Sequence, residues 1–176
     1  ISGTASGITI ETDDTLALNA DTSLTFDSPS VFFQSSTSEK PLFVIKNTTN
    51  DANGARLRFV KDKGAVGANN DVCGLIEFYG DDANQDQVLF SEIKSQVAVQ
   101  TNGQEGGKLT LSVASHDGEK QPGLIITDGS VEDEVDVTIG NGVDSVTTIS
   151  GDITITGCIT QGSDASGDMY YRNSSG

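Results

Sequence analysis

Lys108-Leu109-Thr110-Leu111-Ser112-Val113 alternates large apolar residues with small or charged polar ones. Successive side chains of a strand point to opposite faces, so this run reads as a strand with Leu109, Leu111 and Val113 on one face, toward a core. Working outward, the same pattern recurs in Gly74-Leu75-Ile76-Glu77-Phe78-Tyr79, with Ile76 and Phe78 inward, and in Ala55-Arg56-Leu57-Arg58-Phe59-Val60, with Leu57 and Phe59 inward. Further strand-like runs are Pro41–Lys46, Val88–Ile93, Lys94–Val99 and Gly123–Ile126. Asn/Asp/Gly clusters separate them: Asn50–Gly54, Gly67–Asp71, Gly80–Asp82 and Thr101–Gly103. Seven runs at this spacing predict an antiparallel sandwich or a comparable β-domain over residues 31–130. No convincing helix is found, and Val88 to Val97 is the one ambiguous stretch.

The flanks differ. Residues 6–29 hold three octads whose third and fifth positions are apolar: Ile8/Ile10, Leu16/Leu18 and Leu24/Phe26. Each short strand brings only two apolar side chains, so it must stack on neighbours or on another chain. A β-helical or β-prism stalk wound from several copies fits over residues 1–30, and a three-strand meander is the plain alternative. In residues 131–176 Val135, Val137 and Ile139 alternate, Val143, Val146 and Ile149 follow at three-residue steps, and Ile153-Thr154-Ile155 follows a Gly-Asp turn. This segment reads as a second stalk. Burial of Ile8, Ile10, Leu16, Leu18, Leu24, Phe26, Ile153 and Ile155 between chains is the expected packing.

Composition narrows the classes. Of 176 residues, 26 are Asp or Glu and 10 are Lys or Arg, a formal charge of −16. Phosphate neutralisation needs clustered cations, so this balance argues against nucleic acid as a partner, and it disfavours an anionic membrane surface. No apolar stretch is long enough to span a bilayer as a helix. The hydrophobic fraction is 35%, below the roughly 45–50% of ordinary domains, a benchmark that also counts Gly. A subunit with so thin a core is a candidate for oligomerisation. Cys73 and Cys158 cannot make a disulfide framework and read as free, small buried hydrophobes.

The central residues resemble a module of bacteriophage tail fibres and related fibrous virion proteins, notably of marine and cyanobacterial phages. The resemblance is carried by Ala52-Asn53-Gly54-Ala55-Arg56-Leu57-Arg58-Phe59-Val60-Lys61-Asp62-Lys63-Gly64, then by Asn70–Asp82, then by Phe90-Ser91-Glu92-Ile93. Gly167-Asp168-Met169-Tyr170-Tyr171-Arg172-Asn173-Ser174-Ser175-Gly176 is similar to another fibre element, one that leads into further fibre. The resemblance covers about residues 42–130 and the last ten. It implies an elongated, homotrimeric, all-β component of the virion, extracellular when at work, that extends and orients host-recognition parts. Other virion proteins and a host-surface receptor are the partners it implies. A receptor-binding or capsid-decoration fibre, or a strand-exchanging bacterial filament or adhesin subunit, are the alternatives. Scarce Tyr and absent Trp speak against a sugar-binding platform.

Sites for chemistry are few. His116, the single histidine, lies in Ala114–Lys120, which reads as a turn. Asp81-Asp82-Ala83-Asn84-Gln85-Asp86 offers oxygens suited to Ca²⁺, but the EF-hand offsets are missing, and a solvated acidic loop is the simpler account. Glu132, Asp133, Glu134 and Asp136 read as a charged linker that guards strand edges. No phosphate loop, CxxC or HExxH motif is present. The expectation is a protein without catalytic residues, cofactor or metal. Arg56, Arg58, Lys61 and Lys63 form the one basic cluster, read as a shared strand face. It serves either an inter-subunit salt-bridge ladder, with carboxylates of the same protein, or simple solvation.

Overall fold

The computed structural model describes residues 16, 18 and 20–157. Ile8, Ile10, Cys158 and the Gly167–Gly176 motif lie outside them. The chain divides into two units, Ile1–Leu57 and Arg58–Gly176. The described residues form an all-β structure with no helix.

The second unit holds one antiparallel sheet in the order β1-β2-β3-β4-β5, a simple up-and-down meander. Its strands are β1 (Val72–Asp81), β2 (Gln87–Val99), β3 (Gly106–Ala114), β4 (Lys120–Asp128) and β5 (Val135–Ile139). The sequence expectation of two strands over Val88–Val99 gives way to one strand of 13 residues. Nothing between Ile93 and Lys94 acts as a turn, so the ladder runs straight through. Pro41–Lys46 and Ala55–Val60 carry no strand. The expected sandwich is therefore a single sheet among the described residues, with β5 drawn from the segment read as a stalk.

Each hairpin is closed by local chemistry. In β1–β2 the amides of Asn84 and Asp86 donate to Asp82 Oδ1 at 2.8 and 3.0 Å. In β3–β4 the Ser115 hydroxyl and the Glu119 amide donate to Asp117 Oδ1. Gly103 and Gly118 take φ of 78° and 82° in their turns, a left-handed backbone that side chains with a Cβ resist. Ahead of β1, the Asn70 amide donates to Val97 O at 2.8 Å and the Val97 amide to Asp71 O at 2.9 Å. This fastens the entering chain to β2.

The sheet is bent. Register shifts occur at Val72/Gly74, Phe78/Tyr79, Val97/Val99 and Leu111/Ser112, and such bulges increase local twist and curvature. Cα atoms of β2 and β4 come within 8 Å of each other across β3. Two strand spacings in a flat sheet would hold them about 9.5 Å apart. The curl closes over the polar face, where Glu92, Thr110 and Ser112 are only 4%, 7% and 5% exposed. Among the described residues no hydrophobic side chain reaches that degree of burial.

Leu16, Leu18, Leu24, Phe26, Ile153 and Ile155 stand exposed and outside any ladder. Among the described residues of the first unit, Phe33 lies against Phe43 with ring centroids 5.5 Å apart.

Candidate functional site

The pleat sorts the sheet into two chemically opposed faces. Cross-strand pairing sets Ile76, Ile93, Leu111, Leu124 and Ile139 in one row across all five strands. The row beside it is Gly74, Ser95, Leu109, Ile126 and Val137. On its other side stand Phe78, Ser91, Val113 and Gln121. These 14 positions contain no charged residue, although 20% of the chain is charged. Leu109, Leu111 and Ile139 nevertheless remain 36%, 37% and 60% exposed.

Two features frame this face. At one end Phe59 lies against Gly74, where an added Cβ would stand 2.7 Å from Phe59 Cβ. A notch of about 210 Å³ opens there between Phe59, Ile76, Ile93 and Leu109. At the other end Asn141 Nδ2 donates to Gln121 Oε1 at 2.8 Å, so the polar edge is closed by the chain that follows β5. Between these ends no described residue of the second unit covers the face. Ile76, Phe78, Leu109, Leu111 and Val113 share it as the sequence pattern requires, but the core expected beneath them is absent from the described residues.

The opposite face is built on Glu92. Its Oε2 accepts from Lys120 Nζ at 2.7 Å, two strands away. Its Oε1 has no hydrogen-bond partner, and Lys94 Nζ stays 3.9 Å off. Glu77 is directly opposite Glu92 in the register, a like-charge pairing that costs stability unless cations intervene. Lys120 and Lys94 supply them. Sequence reasoning missed this hub. The signal was a Glu and a Lys two apart, on one face, in mid-strand.

Other acidic candidates are occupied by structural tasks. Asp82 is committed to its turn amides, so the Asp81–Asp86 loop has lost its central oxygen to the backbone. Hydrogen bonds from the Ser115 hydroxyl and the Glu119 amide hold Asp117 below its ordinary carboxyl range. Glu134 is lowered by the amides of Ser130 and Val131, and Glu105 by its own amide and that of Gly103. No three His, Cys, Asp or Glu side chains converge as metal ligands would among the described residues. His116 is exposed in the β3–β4 turn. Cys73 is a free thiol of intermediate burial.

The basic cluster does not form a strand face. Residues 55–63 carry no ladder, and Arg56 falls in the first unit while Arg58, Lys61 and Lys63 fall in the second. Lys63 Nζ binds Asp71 Oδ2 at 2.9 Å, and with the Ala68 amide it depresses the Asp71 carboxyl. Arg56 and Arg58 differ from Lys61 and Lys63 in parity, so an extended chain would point the two pairs to opposite sides. Arg56, Arg58 and Lys61 are exposed and unpaired among the described residues.

What the fold and site define is an antiparallel five-strand β protein with one polar face, buried at Glu92, Thr110 and Ser112, and one open apolar face. Comparison with protein-family models, curated proteins and solved structures gives no match. No helix among the described residues is long and apolar enough to cross a membrane.

Proposed function

We propose that this chain is a structural segment of a bacteriophage tail fibre, working as a homotrimer in the virion. It extends and orients the parts that meet the host surface, with other virion proteins as its neighbours. The observation that carries this reading is the unfinished state of the single chain. Among its described residues no hydrophobic side chain is buried, and large ones such as Phe26, Phe43 and Ile139 are more than half exposed. A chain without buried hydrophobic side chains in its described residues gains its stability from other copies. The fibre-like motifs of residues 52–93 support the assignment to a phage fibre over other oligomeric β proteins. The role is mechanical, with no reaction assigned to any residue.

Light scattering coupled to size-exclusion chromatography tests this. The expected mass is about three times 18.3 kDa. A monomer that melts cooperatively in dilute solution overturns the reading.

A further inference from the structure

We infer that the apolar face of the sheet, and not the octad residues, is the principal surface on which copies of this chain meet. This rests on the oligomeric reading above and specifies its interface. The occupant is another copy of the same chain, and three observations on the molecule point to it.

The first is charge. Two chains of −16 repel wherever their carboxylates approach. The three rows centred on Ile76, Ile93, Leu111, Leu124 and Ile139 are the large region of the sheet that brings no charge to a contact. A basic partner would instead select the acidic loops around Glu132, Asp133 and Glu134. The second is area. The exposed parts of Ile76, Phe78, Leu109, Leu111, Val113, Val137 and Ile139 together present on the order of 600 Å², the top of the ~300–600 Å² range for the largest patch on a typical monomer. It approaches the ~800 Å² per partner of a stable interface.

The third is shape. The sheet curls over its polar face, so the apolar face is the convex one, open between Phe59 at one end and Asn141 at the other. The notch beside Phe59 interrupts it where Gly74 and Ser95 lack bulk, and its walls, Phe59, Ile76, Ile93 and Leu109, are apolar. It accepts an apolar side chain from the adjoining copy. Gly74 keeps the notch floor low, since any Cβ there strikes Phe59.

The test compares adjacent residues of β5 that face opposite ways. In the full chain, Ile139→Asp should reduce the assembled fraction at least tenfold at micromolar concentration by light scattering. Thr138→Asp, on the polar face, and Leu16→Asp, in an octad, should leave it within twofold. A second measurement does not depend on tolerating a charge. With Cys73 and Cys158 replaced by Ser, single cysteines Val137→Cys and Thr138→Cys are labelled with a maleimide in the assembled protein. The cysteine at 137 should react at least tenfold more slowly. Assembly that survives Ile139→Asp, with equal labelling at 137 and 138, overturns the inference and leaves the fibre reading standing. Assembly lost with Leu16→Asp but kept with Ile139→Asp overturns it in favour of the octads. A stable dimer with 137 protected supports the interface and overturns the trimer. A monomeric parent chain overturns both.

Discussion

The sheet and the extended chain before it use the same residues to different ends. Both alternate apolar with polar side chains, and both are punctuated by Asn, Asp, Ser and Thr. In residues 28–64 these polar side chains bind an amide two positions on: Ser28 to Ser30, Ser35 to Thr37, Asn47 to Thr49, Asp51 to Asn53 and Asp62 to Gly64. Each such bond turns the chain locally and goes no further. In the β2–β3 and β3–β4 connections Glu105 and Asp117 likewise bind an amide only two positions away, that of Gly103 and of Glu119, but in β1–β2 and β4–β5 the acceptor reaches across a whole turn. Asp82 takes the amide four residues on as well as two, and Glu134 reaches back to Ser130 and Val131. A carboxylate that closes a loop aligns two strands, and the ladder then propagates. Turn reach distinguishes the β1–β2 and β4–β5 connections from the two-residue bonds of the extended chain, where Asn47 Nδ2, donating to Asn53 O, is the longer exception.

The polar face offers the hardest test of that contrast, because it is where the sheet depends on long-range rather than local bonds. Lys120→Met removes the one cation hydrogen-bonded to a carboxylate that is almost wholly buried. Lys120 is itself 36% exposed, so the loss falls short of the ~3 kcal/mol of a pair buried on both sides and is about 1.5 kcal/mol, that of a hydrogen bond to a charged group. The expected result is a fall of that size in urea unfolding of the sheet, with Lys94→Met costing less, since its nitrogen is 3.9 Å away. Equal and small losses from both would mean that the curl is set by the bulges alone.

Next in size is Gly74→Val. The new side chain displaces Phe59 from the sheet and leaves the notch filled by the wrong atoms. Overpacking costs typically 1–3 kcal/mol, and the lower end applies because Phe59 is half exposed. Nuclear magnetic resonance shifts of the Phe59 ring would report its release. An unchanged ring environment would show that the Gly74 contact is incidental.

Much of the sheet was legible before any coordinates. Ile76/Phe78 and Leu109/Leu111/Val113 could be placed on one face because period 2 admits no other arrangement. The turn at Thr101–Gly103 is marked by residue types that favour bends, whereas Gly80 and Asp81, read as loop, are the last two residues of β1. Three things were not legible. The join of Val88–Ile93 to Lys94–Val99 was hidden because polar Ser91, Glu92 and Lys94 resemble a break. Pairing of Pro41–Lys46 and Ala55–Val60 could not be refused from propensity, since a run that looks like a strand needs a partner the sequence does not name. Glu92 was passed over because a carboxylate in mid-strand reads as solvent-facing until curvature buries it. The four basic residues failed as a set through parity, a test the sequence itself could have applied.

Smaller effects compare the two kinds of turn directly. Asp82→Ala leaves two amides of the β1–β2 turn without their acceptor and should cost about 1 kcal/mol, as loss of a capping side chain does. Asp51→Ala removes a single local bond in a segment without a ladder and should cost no more than a few tenths of a kcal/mol. Thermal melts of the two variants decide it. If Asp51→Ala matched Asp82→Ala, the argument from turn reach would fail.

Acid should find the same difference without mutation. Asp71, Glu105, Asp117 and Glu134 all have carboxyls lowered below the ordinary 3.8 for Asp and 4.5 for Glu by hydrogen bonds at or beside the sheet's turns. A group depressed in the folded state binds its proton more readily when unfolded. Its stabilisation is therefore fully present above the ordinary value and is lost as pH falls through the lowered one. These groups are open to water, so each effect is small, and they act at separate places: ahead of β1, and in the β2–β3, β3–β4 and β4–β5 connections. Hydrogen exchange of the turn amides should stay slow from neutrality down to about pH 5, then quicken below the ordinary carboxyl range after correction for intrinsic rates. The Glu119 and Ser130 amides, which donate directly to Asp117 and Glu134, should lead, while the Asn70 amide, bonded to Val97 O, should lag. Protection that instead collapsed at one pH across all of them would mean that the carboxylates hold the sheet as a unit, and that its turns are no more local than the bonds of the extended chain.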